Sequence, residues 1–162
     1  MANQHCESFV AFLQKRSEDR RFMADLKYAA SAATEHRAYE HVVPWCKDMD
    51  HPGGRSRRII LTVSAGFALC GSSFPNSKNL GSVLRKIAGD LPTFDARFRR
   101  ILACTDVREA CGHIFPVLKT AATKHIPVDF AQLYMDMTYW GENVRIRWAT
   151  SYWRSQSEEG AA

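Results

Sequence analysis

Basic side chains crowd one stretch of this chain. Between Gly53 and Arg100 stand Arg55, Arg57, Arg58, Lys78, Arg85, Lys86, Arg97, Arg99 and Arg100, against only Asp90 and Asp95. That window carries +7, whereas the 162 residues together carry +5, so everything outside it sums to −2. A cationic region on a nearly balanced body suits pairing with a polyanion, and nucleic acid is the commonest such partner. A well-solvated helical surface accounts for the same composition without any partner, so charge alone leaves both readings open.

Other chemistry has less to stand on. His36 and His41 are five apart, off the i, i+4 spacing of helical metal ligands, and no His-Glu-x-x-His occurs. Cys6, Cys46, Cys70, Cys104 and Cys111 make an odd number with no Cys-x-x-Cys pair, which argues against a disulfide framework or a zinc knuckle. Most lie among apolar neighbours and read as small buried hydrophobes. Ser64-Ala65-Gly66 lacks the flanking glycine of a nucleophile elbow. Cys104 or Cys111 could form a dyad with His113, but neighbours on one helix align poorly for that. The expectation is a binding protein rather than an enzyme, with no metal and no cofactor.

The elements that must position these residues are helical almost throughout. Phe9, Phe12 and Leu13 mark a first helix ending near Arg16. Ser17 or Asp19 caps a second, with Phe22, Met23, Leu26 and Ala30 inward. Thr34 begins a third, with Ala38, Tyr39, Val42 and Val43 toward the core and Pro44 as its stop. A fourth, from about Ser56 to Cys70, is apolar all round and should be the most buried. Gly71 to Asn79 is turn chemistry without periodicity and marks the best internal boundary. Beyond it, Leu80, Val83, Leu84 and Ile87 form one helix, ended by Gly89. Phe94, Phe98, Ile101 and Leu102 form the next. Asp106 starts a long helix in which Pro116 should produce a kink. Asp129 caps a helix from Phe130 to Trp140, and a last one runs from Glu142 to about Ser155, with Ser157 to Ala162 frayed. The expected fold is all-α, with about nine helices in two packed bundles, residues 1–75 and 76–162. No apolar run approaches the ~18–20 residues that cross a bilayer. Met1 to Glu7 lacks a basic segment followed by an apolar block, so the expected location is cytoplasmic.

Placed on these elements, the cations fall into groups. Arg55, Arg57 and Arg58 open the fourth helix, where the macrodipole disfavours cations but free N–H groups attract phosphate; together they could clamp a nucleic-acid backbone. Arg97 and Arg100 share one face, opposite Phe98 and Ile101. Arg108, Gly112, Phe115 and Lys119 fall at i, i+4, i+7 and i+11 and form one stripe, a pattern able to track a phosphodiester strand. Phe115 itself reads as core. Lys27 and Arg37 are weaker candidates. Tyr134, Tyr139, Trp140, Trp148, Tyr152 and Trp153 have the spacing of an aromatic core rather than of a stacking platform.

Four blocks in order carry a resemblance: Asn79 to Ala88, Ala96 to Leu102, Ile126 to Leu133, and Tyr139-Trp140-Gly141 with Arg147-Trp148-Ala149. They resemble the small subunit of type I-E CRISPR Cascade, the CasB family. A looser fit in the first half runs through Arg20-Arg21, Tyr39 to Val43 and Ala65 to Leu69. The resemblance implies an all-α, non-catalytic subunit, present as two copies in the RNA-guided complex beside the backbone and large subunits and the guide RNA. It implies that basic residues hold the target and displaced DNA strands once guide pairing has opened the duplex. The residues matched to that role are Lys27, Arg55 or Arg57, Arg97, Arg108 and Lys119; Arg58 and Arg100 join them from the charge map. The rival is a free-standing helical nucleic-acid-binding regulator, which would need a helix-turn-helix. The Gly89 to Asp95 junction is the place to look for one, but the arginines after it lack the side-chain variety of a base reader.

Overall fold

The helical pattern comes from apolar side chains repeating every three to four residues, and side-chain caps set where most helices begin. The computed structural model describes residues 2–76, 78–89 and 93–161, with the backbone alone for residue 2 and residues 155–161. Among the described residues there are nine α-helices and no strand: α1 (Ala2–Lys15), α2 (Arg20–Lys27), α3 (Tyr39–Val42), α4 (Arg55–Cys70), α5 (Leu80–Ala88), α6 (Thr93–Ala103), α7 (Val107–Thr123), α8 (Phe130–Thr138) and α9 (Glu142–Ala161). Single turns of 3-10 helix occupy Tyr28–Ala30, Glu35–Ala38 and Val43–Trp45.

The caps follow residue type. Asp19, Asn79, Asp106 and Asp129 each accept a hydrogen bond from a backbone N–H of the first turn that follows, satisfying donors that have no helical partner. Gly71 ends α4 at φ +84, a left-handed position that glycine takes without steric cost. The third helix is the main departure from expectation. Residues 35–45 form a 3-10 turn, one α-turn and another 3-10 turn, because Pro44 has no N–H to give the Glu40 carbonyl and its ring crowds that oxygen. Ala38 and Val42 are buried there as expected, whereas Val43 is exposed. Helix α7 runs without a break through Pro116. Helix α9 continues to Ala161, past the end expected near Ser155. Part of the Gly89 to Asp95 junction, at residues 90–92, lies outside the described residues, as does Ala162.

Helix α4 is the axis. Every residue from Ile59 to Ala68 is buried, including Thr62 and Ser64. Their hydroxyls donate to the carbonyls of Arg58 and Ile60 one turn back, at 2.8 and 2.7 Å, so no polar atom of theirs is left unsatisfied in the core. Helices α2, α7 and α8 pack around α4, α1 lies on α8, and α5 lies on α9. The apolar core therefore runs from Cys6 to Tyr152, and elements from both sides of the residue-75 junction share it. Trp148 and Tyr152 are wholly buried, as an aromatic core requires, while Tyr139 points outward. No described helix is long and apolar enough to cross a membrane.

Two close approaches depend on having no side chain. A Cβ at Gly66 would lie 2.5 Å from Leu118 Cδ1 and 3.1 Å from Phe130 Cε1, where α4, α7 and α8 meet. A Cβ at Gly81 would lie 2.1 Å from the carbonyl oxygen of Trp148, so the α5 and α9 backbones touch there. At Gly112, on the exposed side of α7, a Cβ would meet nothing within 4 Å. Gly81→Ala should therefore destabilise the protein by about 2 kcal/mol, since backbones must separate. Gly112→Ala should stabilise it by roughly 0.5–1 kcal/mol through helix propensity. Urea denaturation of the two variants checks both signs.

Candidate nucleic-acid interface

The start of α4 has most of its N–H groups already engaged. Asp48, seven residues before the helix, accepts from the N–H of Ser56 at 3.0 Å and of Arg57 at 2.7 Å, one carboxylate oxygen to each. It thereby performs the capping that Gly54 cannot. The loop closes tightly enough that a Cβ on Gly54 would sit 2.8 Å from Asp48. The expectation of free N–H groups facing phosphate at the α4 N-terminus is corrected for Ser56 and Arg57, whose donors a carboxylate already holds.

Arg57 is a second correction. Its side chain points inward and is only 15% exposed. Its guanidinium donates to Glu35 Oε1 and Tyr39 Oη, each at 2.6 Å, and to the Met49 carbonyl at 3.3 Å. Burial acts to lower its pKa, but the hydrogen bond and charge of Glu35 outweigh that and hold it above the ordinary arginine value. Burial first, then hydrogen bonding to Glu35, raises the Tyr39 phenol. Arg57 is a strut between α4 and the 35–45 segment rather than a phosphate ligand. Sequence spacing could not separate it from Arg55 and Arg58, because the carboxylate that consumes it lies 22 residues away.

The remaining cations at this end converge. Arg108, on the first turn of α7, donates to the Gly53 carbonyl at 3.0 Å and so ties α7 to the loop before α4. Its other donors meet Asp106 at 2.9–3.2 Å, and this pairing holds the Asp106 carboxyl below its usual range. Arg108 is thus exposed but offset by an acid. Such an exposed pair is weak, and a phosphate can compete with it. The charge of Arg55 also reaches Asp106, and both Arg55 and Arg58 act on Cys111. Arg55 itself donates to the Met137 carbonyl at 3.2 Å.

Between α7 and the Tyr28–Ala30 turn lies a shallow groove of about 160 Å³, lined by Ala29, Ala30, Arg58, Thr62, Gly112, Phe115 and Pro116. The stripe expected along α7 is present on its outer side: Arg108, Gly112 and Lys119 are exposed and Phe115 is half-buried. Arg108 and Lys119 are eleven residues apart, about 16 Å along the helix. Lys27 is exposed immediately before the turn that forms the opposite wall, and the Arg37 guanidinium sits 4.3 Å over the exposed Tyr28 ring of that turn. Arg97 and Arg100 are exposed on α6, with Phe98 and Ile101 buried behind them; Arg97 lies 5.5 Å over the Phe94 ring. Arg100 and Arg108 flank the corner where α6 turns into α7. Of the eight cations singled out, Lys27, Arg55, Arg58, Arg97, Arg100 and Lys119 have no ion pair among the described residues.

The cysteines offer no nucleophile. All five are free, and burial raises every thiol, those of Cys6, Cys46 and Cys70 to about 11. The reactive form is thereby suppressed. Arg57→Ala should cost about 3 kcal/mol by leaving Glu35 buried and unpaired, whereas Lys119→Ala should change stability by less than about 0.5 kcal/mol. Guanidinium denaturation of both variants separates the structural cation from the surface one.

Known proteins bear on this arrangement in three ways. Among curated proteins, none matches the sequence significantly. A solved chain described as part of a "CRISPR RNA-guided surveillance complex" shares the fold, with a TM-score of 0.73 at 17% identity over 100% of both chains. The family model for CRISPR-associated protein Cse2 matches residues 22–153, which run from within α2 through most of α9 and include all eight singled-out cations. That is the family the four sequence blocks resemble, there under the name CasB. The chain belongs to the CRISPR-associated protein Cse2 family.

Proposed function

We propose that this chain is a non-catalytic subunit of an RNA-guided CRISPR effector complex of the Cascade type. In it, the chain grips DNA backbone without reading sequence and stabilises the opened duplex, the R-loop, in antiviral defence. Family membership and the fold shared with a surveillance-complex chain support the subunit role. The observation that supports the DNA role is the groove lined by Arg58, Gly112 and Phe115, with Arg108 tied to the Gly53 carbonyl just before α4 and Lys27 and Lys119 exposed on the two elements that form its walls. Its partners in this reading are the backbone and large subunits, the guide RNA, a second copy of the chain, and the target and displaced strands.

The energetics suit such a device. Exchanging a DNA duplex for a guide–target duplex is nearly balanced, so modest contacts to a released strand tip it. Each exposed cation that neutralises a phosphate releases a counterion, which makes the grip sequence-independent and steeply dependent on salt. Gly112 places no side chain in the groove, and Phe115 is the one aromatic among the residues that line it. A displaced strand therefore meets charge along α7 with little to read its bases.

Fluorescence anisotropy with single strands of unrelated sequence tests this reading across a salt series. Wild-type protein should bind scrambled sequences equally, with affinity collapsing as salt rises. Replacing both Arg97 and Lys119 by alanine should flatten the log–log salt slope by about 1.4, which is two phosphate contacts on a single strand. Helicity should not change. Unaltered affinity and slope in that double variant would contradict the assigned surface, and preference for one sequence would favour a free-standing regulator.

A further inference from the structure

Cys104 lies in the turn between α6 and α7 rather than on the helix that carries His113, and the chain folds it back against that helix. Glu109 and His113, four apart on α7, share one helical face. The Cys104 thiol, a Glu109 carboxylate oxygen and a His113 ring nitrogen all lie within 4.8 Å of one another. We propose that these three side chains form a binding site for one thiophilic divalent cation of the zinc class, with solvent as the fourth ligand.

The donor set fits that class. A thiolate, an imidazole and a carboxylate are the three zinc ligand types, and three protein donors plus water make an open tetrahedral site. Bonds of about 2.0–2.3 Å in that geometry put donors roughly 3.5 Å apart, so closure by about one ångström is needed. Glu109 is exposed and His113 half-buried, so both side chains have room to make it. Cys104 is the fixed member. Its carbonyl accepts from Trp140 Nε1 at 2.9 Å, its N–H donates to Ile101 O at 3.1 Å, and the Leu102 carbonyl accepts from Arg145 at 2.9 Å. A corner pinned from two sides presents its sulfur without further ordering. That sulfur, in a residue 3% exposed, donates to the Arg100 carbonyl at 3.2 Å.

Electrostatics at the corner point the same way. Burial most of all, then the charge of Glu109 and to a lesser degree of Asp106, raise the Cys104 thiol, while Arg145 acts against them. A dication beside the sulfur would counter the charges of Glu109 and Asp106 and favour the thiolate. The second group of nearby donors, Asp25, Glu40 and His41, has no sulfur, and its histidine is already held 3.0 Å from Asp25. Bound metal would staple the end of α6 to the second turn of α7 and so fix the corner flanked by Arg100 and Arg108.

Titration of the full chain with cobalt(II), under reducing conditions, reads the site directly. The wild type should develop a sulfur-to-cobalt charge-transfer band saturating at one equivalent, displaced by zinc, and zinc should raise its melting temperature. Because the thiol must lose its proton, apparent affinity should rise as pH increases. Cys104→Ser should abolish the band and Cys111→Ser should leave it. His113→Gln and the exposed Glu109→Gln should each weaken binding by more than about ten-fold, the size that loss of even an outer supporting partner produces. No band in the wild type, a band that survives Cys104→Ser, or unchanged affinity in Glu109→Gln would each overturn the assignment. The glutamine variant settles the matter even if Cys104→Ser fails to fold.

Discussion

The burial of α4 on all sides is the constraint from which the rest follows. A helix with ten consecutive buried residues cannot be covered by one neighbour, so α2, α7 and α8 must surround it. Its glycine at 66 lets Leu118 and Phe130 approach closely, and its two buried hydroxyls, Thr62 and Ser64, are turned back onto its own carbonyls. Packing α7 along α4 brings the starts of both helices together. That is why arginines more than fifty residues apart meet at one end of the molecule. The cationic surface is a consequence of core packing before it is anything else.

Charge at that surface is sorted by what lies beneath it. A carboxylate within reach decides whether a cation is structural or available. Glu35 takes Arg57, and Asp48 takes the N–H groups that open α4. Asp106 offsets Arg108 without burying it. Of the eight cations singled out, those left without an ion pair among the described residues lie on α2, α4, α6 and α7. A DNA strand bound as proposed would meet chiefly this remainder, so formal charge over a sequence window overstates such a grip.

Much of the fold was legible because its signals are local. Apolar spacing marked α1, α2, α4 to α6, α8 and the inner face of α7, and the aspartates at 19, 106 and 129 marked where helices start. The stripe of Arg108, Gly112, Phe115 and Lys119 was legible for the same reason, since helix geometry alone places it. What escaped depends on distance along the chain. The 35–45 segment carried helical spacing, but Pro44 and the pull of Arg57 on Glu35 and Tyr39 give it a different backbone. Asp48 as a cap for α4 was invisible because it sits across a loop that closes tightly against Gly54. Cys104 beside His113 was missed because the two were taken to share one helix, whereas a turn separates them.

The central claim is that the groove between α7 and the Tyr28–Ala30 turn is where DNA backbone lies. Amide shifts in a titration of isotopically labelled protein with a short single strand test it most directly. The account predicts that the largest shifts fall on Ala29, Ala30, Gly112 and Lys119, while Arg57 and its partners stay put. Shifts gathered instead around the exposed Tyr139 and Ile146, with Gly112 unmoved, would contradict it.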